Sequence, residues 1–254
     1  MVVDPLQALQ AASRHAPPAA DTRGTLLIAG ATGMLGHEVV RRLAGAHRFA
    51  HTVVLAREPI RDGMRGIESL VLPADRLSDI AHWPQVAVDT ALVLFDPPRL
   101  YYERERALWA PEPEQLPALA RWLHACGART LAVVQPHAQA TLPEALKRGL
   151  ANLDEQAVAA LGFERVLLVR SAQKPKDARL THPAERLAAW MLSIIRFMVP
   201  ASEQPVRAAK VAELLDLALA IAPPCVHVAP PEMVWQAAQG ELRAVATGWL
   251  RPSV

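Results

Sequence analysis

Three glycines near the start of the chain have the spacing that a diphosphate site requires. Gly30, Gly33 and Gly36 follow one another at intervals of three residues. Such glycines supply a tight turn, a backbone without Cβ where a pyrophosphate approaches, and a small residue where helix meets strand. The unpaired N–H groups of the following helical turn attract anions, by about 0.3 to 1 kcal/mol per charge from the helix dipole. The spacing predicts an anion site; the alternative is a tight turn that binds nothing.

The residues around these glycines predict a strand before them and a helix after them. Residues 26–29 are a continuous apolar run, and Leu35, Val39, Val40 and Leu43 recur at helical spacing. Further strands are predicted over residues 51–56, 67–72, 86–95, 130–134, 165–169 and 225–228, with helices near 117–126, 146–161, 183–198, 210–221 and 232–238. This alternation predicts an α/β fold, a Rossmann-type doubly wound parallel sheet of about seven strands with a small C-terminal helical lobe.

Length and composition favour one domain with a small appendage. The chain has 254 residues, of which 52% are hydrophobic, enough for one sizeable core. We predict an N-terminal arm over residues 1–23, a dinucleotide-binding domain over 24–170, and a C-terminal lobe of the same domain over 171–254.

The charge balance and the cysteines restrict the partners. The 27 basic and 25 acidic residues are interspersed, and the net charge of +2 argues against a nucleic-acid surface. The sequence contains no run of about 18 apolar residues, so no membrane span is predicted. Cys126 and Cys225 have no C-x-x-C spacing, which suits a reducing compartment and favours a cytoplasmic protein. No metal-binding motif occurs. Small molecules are the expected partners, and the apolar helix near residues 187–198 is either core or the face of a homodimer.

The glycine loop also resembles that of a known superfamily. Residues 30–36, GATGMLG, resemble the loop of extended and atypical short-chain dehydrogenase/reductases, including the NmrA-like NAD(P)-binding proteins. The resemblance implies cofactor contacts from the loop, from an aspartate near the adenine ring and from the end of the fourth strand. It also implies a C-terminal lobe that covers the substrate. The implied cofactor residues are Gly30, Thr32, Gly33, Met34, Leu35, Gly36, Asp75 and Phe95. For Asp75 the alternative is a turn or helix-cap aspartate.

The residue that follows the second strand suggests which dinucleotide is bound. Arg57 stands where a carboxylate would hold the ribose 2′-hydroxyl of NAD. An arginine holds a 2′-phosphate by charge-assisted hydrogen bonds, whereas a carboxylate would repel it. Arg57 therefore favours NADP(H) over NAD(H).

The catalytic pair of the superfamily is missing. Its redox enzymes use Tyr-x-x-x-Lys on the helix after the fifth strand, where the lysine lowers the pKa of the phenol. Arg170 matches the arginine that follows the sixth strand in the superfamily, and Glu155 matches a glutamate on the helix. Counted back from Arg170, the resemblance places Lys147 in the tyrosine position and Ala151 in the lysine position. No tyrosine follows Tyr102.

Three residues remain as weak candidates for a replacement acid: His137, Lys147 and Tyr102. For each, the alternative interpretation is a solvated polar residue. Tyr102 belongs to a long connection, residues 96–115, which is rich in arginine and aromatic residues and whose start is expected to overhang the cofactor cleft. The alternative is a partly helical surface loop that buries its tyrosine and tryptophan side chains for packing.

Three hypotheses about function follow. The first is an NADP(H)-binding protein of this superfamily that binds a ligand or senses redox state without turnover. The second is an NADPH-dependent oxidoreductase of a small carbonyl or enone compound with a non-standard proton donor. The third is an interaction module that kept the fold and lost the cofactor.

Overall fold

Seven parallel strands form the centre of the protein. The computed structural model describes residues 24–46, 48–60, 66–99, 102–137, 153–172 and 206–251, and only the backbone of Arg104, His137 and Ala172. The strands are β1 (Thr25–Ala29), β2 (His51–Ala56), β3 (Ile67–Val71), β4 (Thr90–Leu94), β5 (Thr130–His137), β6 (Arg165–Ala172) and β7 (Val226–Ala229). Their order across the sheet is β3-β2-β1-β4-β5-β6-β7. The predicted fold class, a Rossmann-type doubly wound parallel sheet, is confirmed.

The described helices connect the strands and cover both faces of the sheet. They are α1 (Gly33–Gly45), α2 (Glu103–Ala107), α3 (Leu116–Ala125), α4 (Leu153–Ala159), α5 (Ala208–Ile221), α6 (Pro231–Gln239) and α7 (Leu242–Trp249). Strand residues alternate between two cores because successive side chains point to opposite faces. Leu26 and Ile28 pack with α1 and α5, whereas Leu27 and Ala29 pack with α3.

Three strands, β4, β5 and β6, differ from their predicted bounds by three residues or more. β4 begins at Thr90, not at residue 86, because its pairing with β1 starts at Leu26 and Thr90, and the backbone N–H of Val88 bonds instead to the carbonyl of Cys126. β5 continues to His137 and β6 to Ala172, beyond the predicted ends at Val134 and Val169, because the two strands pair as far as these residues. Pairing with a neighbouring strand extends β5 past the point where its apolar pattern stops.

The described C-terminal residues belong to the sheet and its helical layer. β7 pairs with β6, and α5 packs against α1 in one core. Asp216 of α5 also accepts hydrogen bonds from Arg42 and Arg48 at 3.1 and 2.9 Å. The helix predicted near residues 183–198 and the arm over residues 1–23 lie outside the described residues, so the cleft-covering lobe stays a prediction. The sequence reasoning missed α7.

Candidate functional site

The strand order places a crevice above the carboxyl ends of β1 and β4. The chain leaves β1 toward β2 and β3 on one side, and β4 begins the other half on the opposite side. In open α/β sheets this topological switch point is where ligands bind. The loop between β1 and α1, with Gly30 and Thr32, lies at this point.

The amino end of α1 has backbone donors but no local side chain to satisfy them. The first turn contains no acidic residue, and the N-cap Thr32 makes no side-chain capping bond to it. Instead the buried Thr32 hydroxyl donates to the carbonyl oxygen of Asp96. The N–H groups of residues 33–35 therefore need partners from elsewhere in the chain.

Asp96, the second residue after β4, supplies one of these partners. Its carboxylate accepts a hydrogen bond from the backbone N–H of Leu35 at 2.8 Å. Burial raises the pKa of Asp96 above its ordinary value of 3.8, although hydrogen bonds from the amides of Leu35 and Met34 oppose the shift; the nearby Glu105 carboxylate adds to it. The first turn of α1 thus binds an anion that belongs to the protein.

Glu105 of α2 supplies the second carboxylate. Its Oε2 accepts hydrogen bonds from the backbone N–H groups of Gly33 at 3.1 Å and Arg99 at 2.7 Å. Its Oε1 accepts one from Nε of Arg99 at 2.6 Å and pairs with Nη2 of the same guanidinium. Burial opposes the ionised form, but these hydrogen bonds together lower the pKa of Glu105 below its ordinary 4.5.

The chain beyond Glu105 crosses the carboxyl ends of β1 and β2. Trp109 accepts a hydrogen bond from Gly30 N–H and donates one to the carbonyl of Leu55, and the carbonyl of Ala107 accepts one from Arg57 N–H. Leu108 and Trp109 are 5% and 2% exposed. We call residues 96–99 and 102–109 together the crossing segment. It lies across the switch point, from the end of β4 to the end of β2.

Trp109 anchors this segment to the core. Its ring contacts Trp83 edge to face, with centroids 4.9 Å apart, and Trp83 contacts Trp122 in the same way at 5.4 Å. A buried aromatic side chain contributes roughly 1.5 to 3 kcal/mol through burial alone. The part of the segment around Trp109 is therefore held more firmly than the part around Arg99, where Tyr102 is 53% exposed.

The three glycines have structural roles that need no ligand. Gly30 and Gly33 have φ of +79° and +70°, in the left-handed region that favours glycine. A Cβ added to Gly30 would overlap the carbonyl of Leu94, and a Cβ added to Gly33 would overlap the carboxylate of Asp96. A Cβ added to Gly36 would overlap the backbone of Ala31. The glycine spacing by itself therefore does not distinguish a cofactor loop from a tight turn.

The other predicted cofactor residues lie around the crevice in different environments. Arg57 is exposed at the end of β2 and belongs to none of the salt bridges within the described residues. Asp75 is exposed, and its carboxylate lies 3.6 Å from Nε of its neighbour Arg76. Phe95 is buried in the core beneath the crevice. Met34 is 55% exposed, and its sulfur accepts a hydrogen bond from Arg99 at 3.3 Å. Their contacts with a cofactor stay predictions.

Of the three candidate proton donors, only Tyr102 has a described side chain. Its ring lies under the Arg99 guanidinium, 4.0 Å from Cζ to the ring centroid. His137 ends β5, with only its backbone described, and Lys147 lies outside the described residues. Arg170 and Glu155, which set the alignment of the missing pair, form a buried ion pair at 2.7 Å.

Asp96 and Glu105 are the site residues that the sequence reasoning missed. The candidates in the long connection are its arginines and aromatic residues, and its carboxylates are not among them. One signal was available, because Asp96 comes directly after the apolar strand predicted over residues 86–95. A polar side chain at that position must face the switch point. Glu105 gives no comparable signal, since its position depends on how the connection folds back.

Two other kinds of site find no support in the described residues. They contain no group of three or more histidine, cysteine, aspartate or glutamate side chains placed to hold a metal ion. None of their helices is long and apolar enough to cross a membrane.

Comparisons with known proteins give similarities of fold alone. No family model matches the chain, and no curated protein matches it. A mutated uronate dehydrogenase aligns at 14% identity over 91% of this chain and 82% of its own, with a TM-score of 0.49. MoeE5 in complex with UDP-glucuronic acid and NAD aligns at 14% identity over 82% and 76%, with a TM-score of 0.45. The UDP-N-acetylglucosamine 4-epimerase from Bacillus cereus aligns at 14% identity over 84% and 82%, with a TM-score of 0.44.

Proposed function

We propose that the protein binds a nicotinamide dinucleotide in the crevice above β1 and β4, as a short-chain dehydrogenase/reductase-like protein that senses or binds a ligand without turnover. The sheet order supports this position, since the switch point lies between these two strands. The NmrA-like branch suggested by residues 30–36 is part of the proposal.

One observation carries the proposal. The amides of Gly33 and Leu35 at the start of α1 both hold carboxylates, from Glu105 and Asp96. These donors lie where a Rossmann fold presents its helix terminus to a diphosphate, and they are engaged with negative charge in this structure. A dinucleotide would use the same donors, in competition with the two side chains.

Arg57 supports a preference for NADP(H). Its backbone N–H bonds to the carbonyl of Ala107, and its exposed side chain extends from the carboxyl end of β2. A 2′-phosphate at that position would gain a charge-assisted hydrogen bond, worth roughly 1.5 to 3 kcal/mol.

The tyrosine count supports a role without turnover. The chain has two tyrosines, Tyr101 and Tyr102, and both precede the fifth strand, so neither stands on the helix where the superfamily carries its acid. A proton donor typically contributes about 10² to 10⁴ in rate, so its loss would leave binding intact and turnover slow.

Equilibrium titration tests the proposal. NADPH, NADP+, NADH and NAD+ are titrated by calorimetry into the wild type, Arg57→Ala and, as a control, Arg41→Ala, an exposed arginine on α1. We expect saturable binding with NADPH tighter than NADH, a preference that Arg57→Ala abolishes and Arg41→Ala keeps. Absence of binding by all four, in the wild type and in the double variant Asp96→Ala with Glu105→Ala, would refute the proposal.

The interaction module is the second candidate, and a specific observation favours it. Leu108 and Trp109 fill the space over β1 and β2 as core residues, and each glycine is accounted for by its packing. On this hypothesis the crossing segment is permanent, and no variant of Asp96 or Glu105 gains dinucleotide binding.

The oxidoreductase hypothesis rests on Tyr102 and His137. Tyr102 is half exposed beside Arg99 at the edge of the crevice, within the segment that follows β4. A screen for NADPH oxidation with small carbonyl and enone compounds, repeated with Tyr102→Phe and His137→Ala, tests it. Turnover that these variants reduce would favour this hypothesis over sensing alone.

A further inference from the structure

We infer that the crossing segment is a tethered inhibitor of the proposed dinucleotide site, with Asp96 and Glu105 holding the donors that a diphosphate needs. The inference rests on the proposed function of that site and adds its regulation. Neither carboxylate belongs to the glycine loop or to the elements that flank it; they come from 61 and 72 residues farther along the chain than the amides they meet.

Asp96 blocks a donor in the first turn of α1. Its side chain accepts a hydrogen bond from the Leu35 amide, and its backbone carbonyl accepts one from the buried Thr32 hydroxyl. Two contacts thus fix one residue against both the turn and the helix. An anion that approached the Leu35 amide would have to displace a bound carboxylate and would meet its negative charge.

Glu105 is bound as a phosphate would be. Its two carboxylate oxygens accept hydrogen bonds from two backbone N–H groups and pair with two nitrogens of the Arg99 guanidinium. Its side chain is 7% exposed. Arginine forks and helix-terminal amides are the usual donors for phosphate oxygens. The Glu105 carboxylate therefore acts as an internal anion, and Arg99 is the cation that its removal would leave for an entering phosphate.

The two ends of the segment differ in how they are held. Trp109 is fixed by two backbone hydrogen bonds and by its packing on Trp83. Around Arg99, the segment is hydrogen-bonded to α1 and to the turn that precedes it. Release of Asp96 and Glu105 would uncover the amides of α1 while Trp109 kept its place.

Inorganic pyrophosphate is the probe that isolates this inference from the choice of nucleotide. Thermal unfolding is followed with and without millimolar pyrophosphate in the wild type, in Asp96→Ala with Glu105→Ala, and in Glu103→Ala. Glu103 is an exposed glutamate of the same helix and pairs with Arg106 at 3.5 Å, so its variant controls for charge. Should the double variant fail to fold, Glu105→Gln and Asp96→Asn replace it, because each keeps the size of the side chain and removes its charge.

We expect pyrophosphate to raise the unfolding temperature of the double variant and to leave the wild type and Glu103→Ala unchanged. NADPH should bind the double variant at least about tenfold more tightly than the wild type, since two tethered competitors are gone. Equal affinity in all three proteins, or equal stabilisation of the wild type by pyrophosphate, would overturn the inference. Pyrophosphate binding gained without dinucleotide binding would support the carboxylate lock and refute the proposed function.

Discussion

The carboxylate of Asp96 accepts a hydrogen bond from the backbone N–H of Leu35, so the second residue after β4 caps helix α1, which follows β1. Helix α1 lacks an acidic residue in its own first turn, and Asp96 supplies that charge from the other half of the sheet. One side chain thus connects the switch point to the stability of α1.

This capping role predicts a loss of stability when the side chain is removed. Asp96→Ala should lower the free energy of unfolding by about 1 kcal/mol, as expected for a lost helix cap. Asp96→Asn should cost less, because the amide oxygen still accepts from Leu35. Urea unfolding measures both, with the exposed Asp75→Ala as control. Equal stability of Asp96→Ala and wild type would contradict the cap.

The two carboxylates predict opposite pH dependences. The pKa of Glu105 is lowered from 4.5, so its ionised form stabilises the fold above that pH, and the contribution is lost as pH falls through the lowered pKa. The pKa of Asp96 is raised from 3.8 mainly by burial, so the folded state holds its proton more tightly, and stability falls as pH rises through the raised pKa.

Urea unfolding between pH 3 and pH 7 checks these signs. The stability difference between wild type and Glu105→Gln should shrink as pH falls below 4.5. Asp96→Asn should gain stability relative to wild type as pH rises above 3.8. Glu103→Gln serves as the control, and a pH dependence identical to that of Glu105→Gln would contradict the assignment to Glu105.

Gly36 predicts that the glycine spacing matters even without a ligand. An added Cβ would overlap the backbone of Ala31, so Gly36→Ala should destabilise the ligand-free protein by roughly 1 to 3 kcal/mol, the range for overpacking. Gly45, in the same helix, has open space around its Cα. Gly45→Ala should be neutral or stabilising by roughly 0.5 to 1 kcal/mol. Chemical unfolding of the pair decides, and equal effects would refute the steric argument.

The buried pair of Arg170 and Glu155 predicts a large cost for breaking it. Both side chains are 3% exposed or less, so Glu155→Ala leaves a guanidinium buried without this carboxylate and should cost about 3 to 5 kcal/mol. Glu155→Leu combined with Arg170→Met should recover part of that loss, because no buried charge remains at the pair.

The surface pair of Glu38 and Arg41 on α1 is the control for this comparison. Its arginine is 64% exposed, so Glu38→Ala should change the free energy of unfolding by less than about 1 kcal/mol. A cost of Glu155→Ala no greater than that of Glu38→Ala, in the same denaturant series, would contradict the prediction for the buried pair.

The sequence by itself determined the sheet and the position of the crevice. Apolar strands that alternate with amphipathic helices bury their surfaces in a parallel sheet covered by helices, so Leu26 to Ala29, the glycine turn and α1 could be predicted from the local pattern. The bounds of β4 and β5 were less predictable from the sequence, because backbone pairing with a neighbouring strand determines where each strand begins and ends.

Only the tertiary structure decided what occupies the crevice. Glu105 reaches Gly33 because the connection folds back over the ends of β1 and β2, and no periodicity in residues 96–109 encodes that path. A local pattern specifies that helix α1 offers free amides; which anion meets them depends on contacts between residues more than 60 positions apart. Long-range packing, here the burial of Leu108 and Trp109, sets that choice.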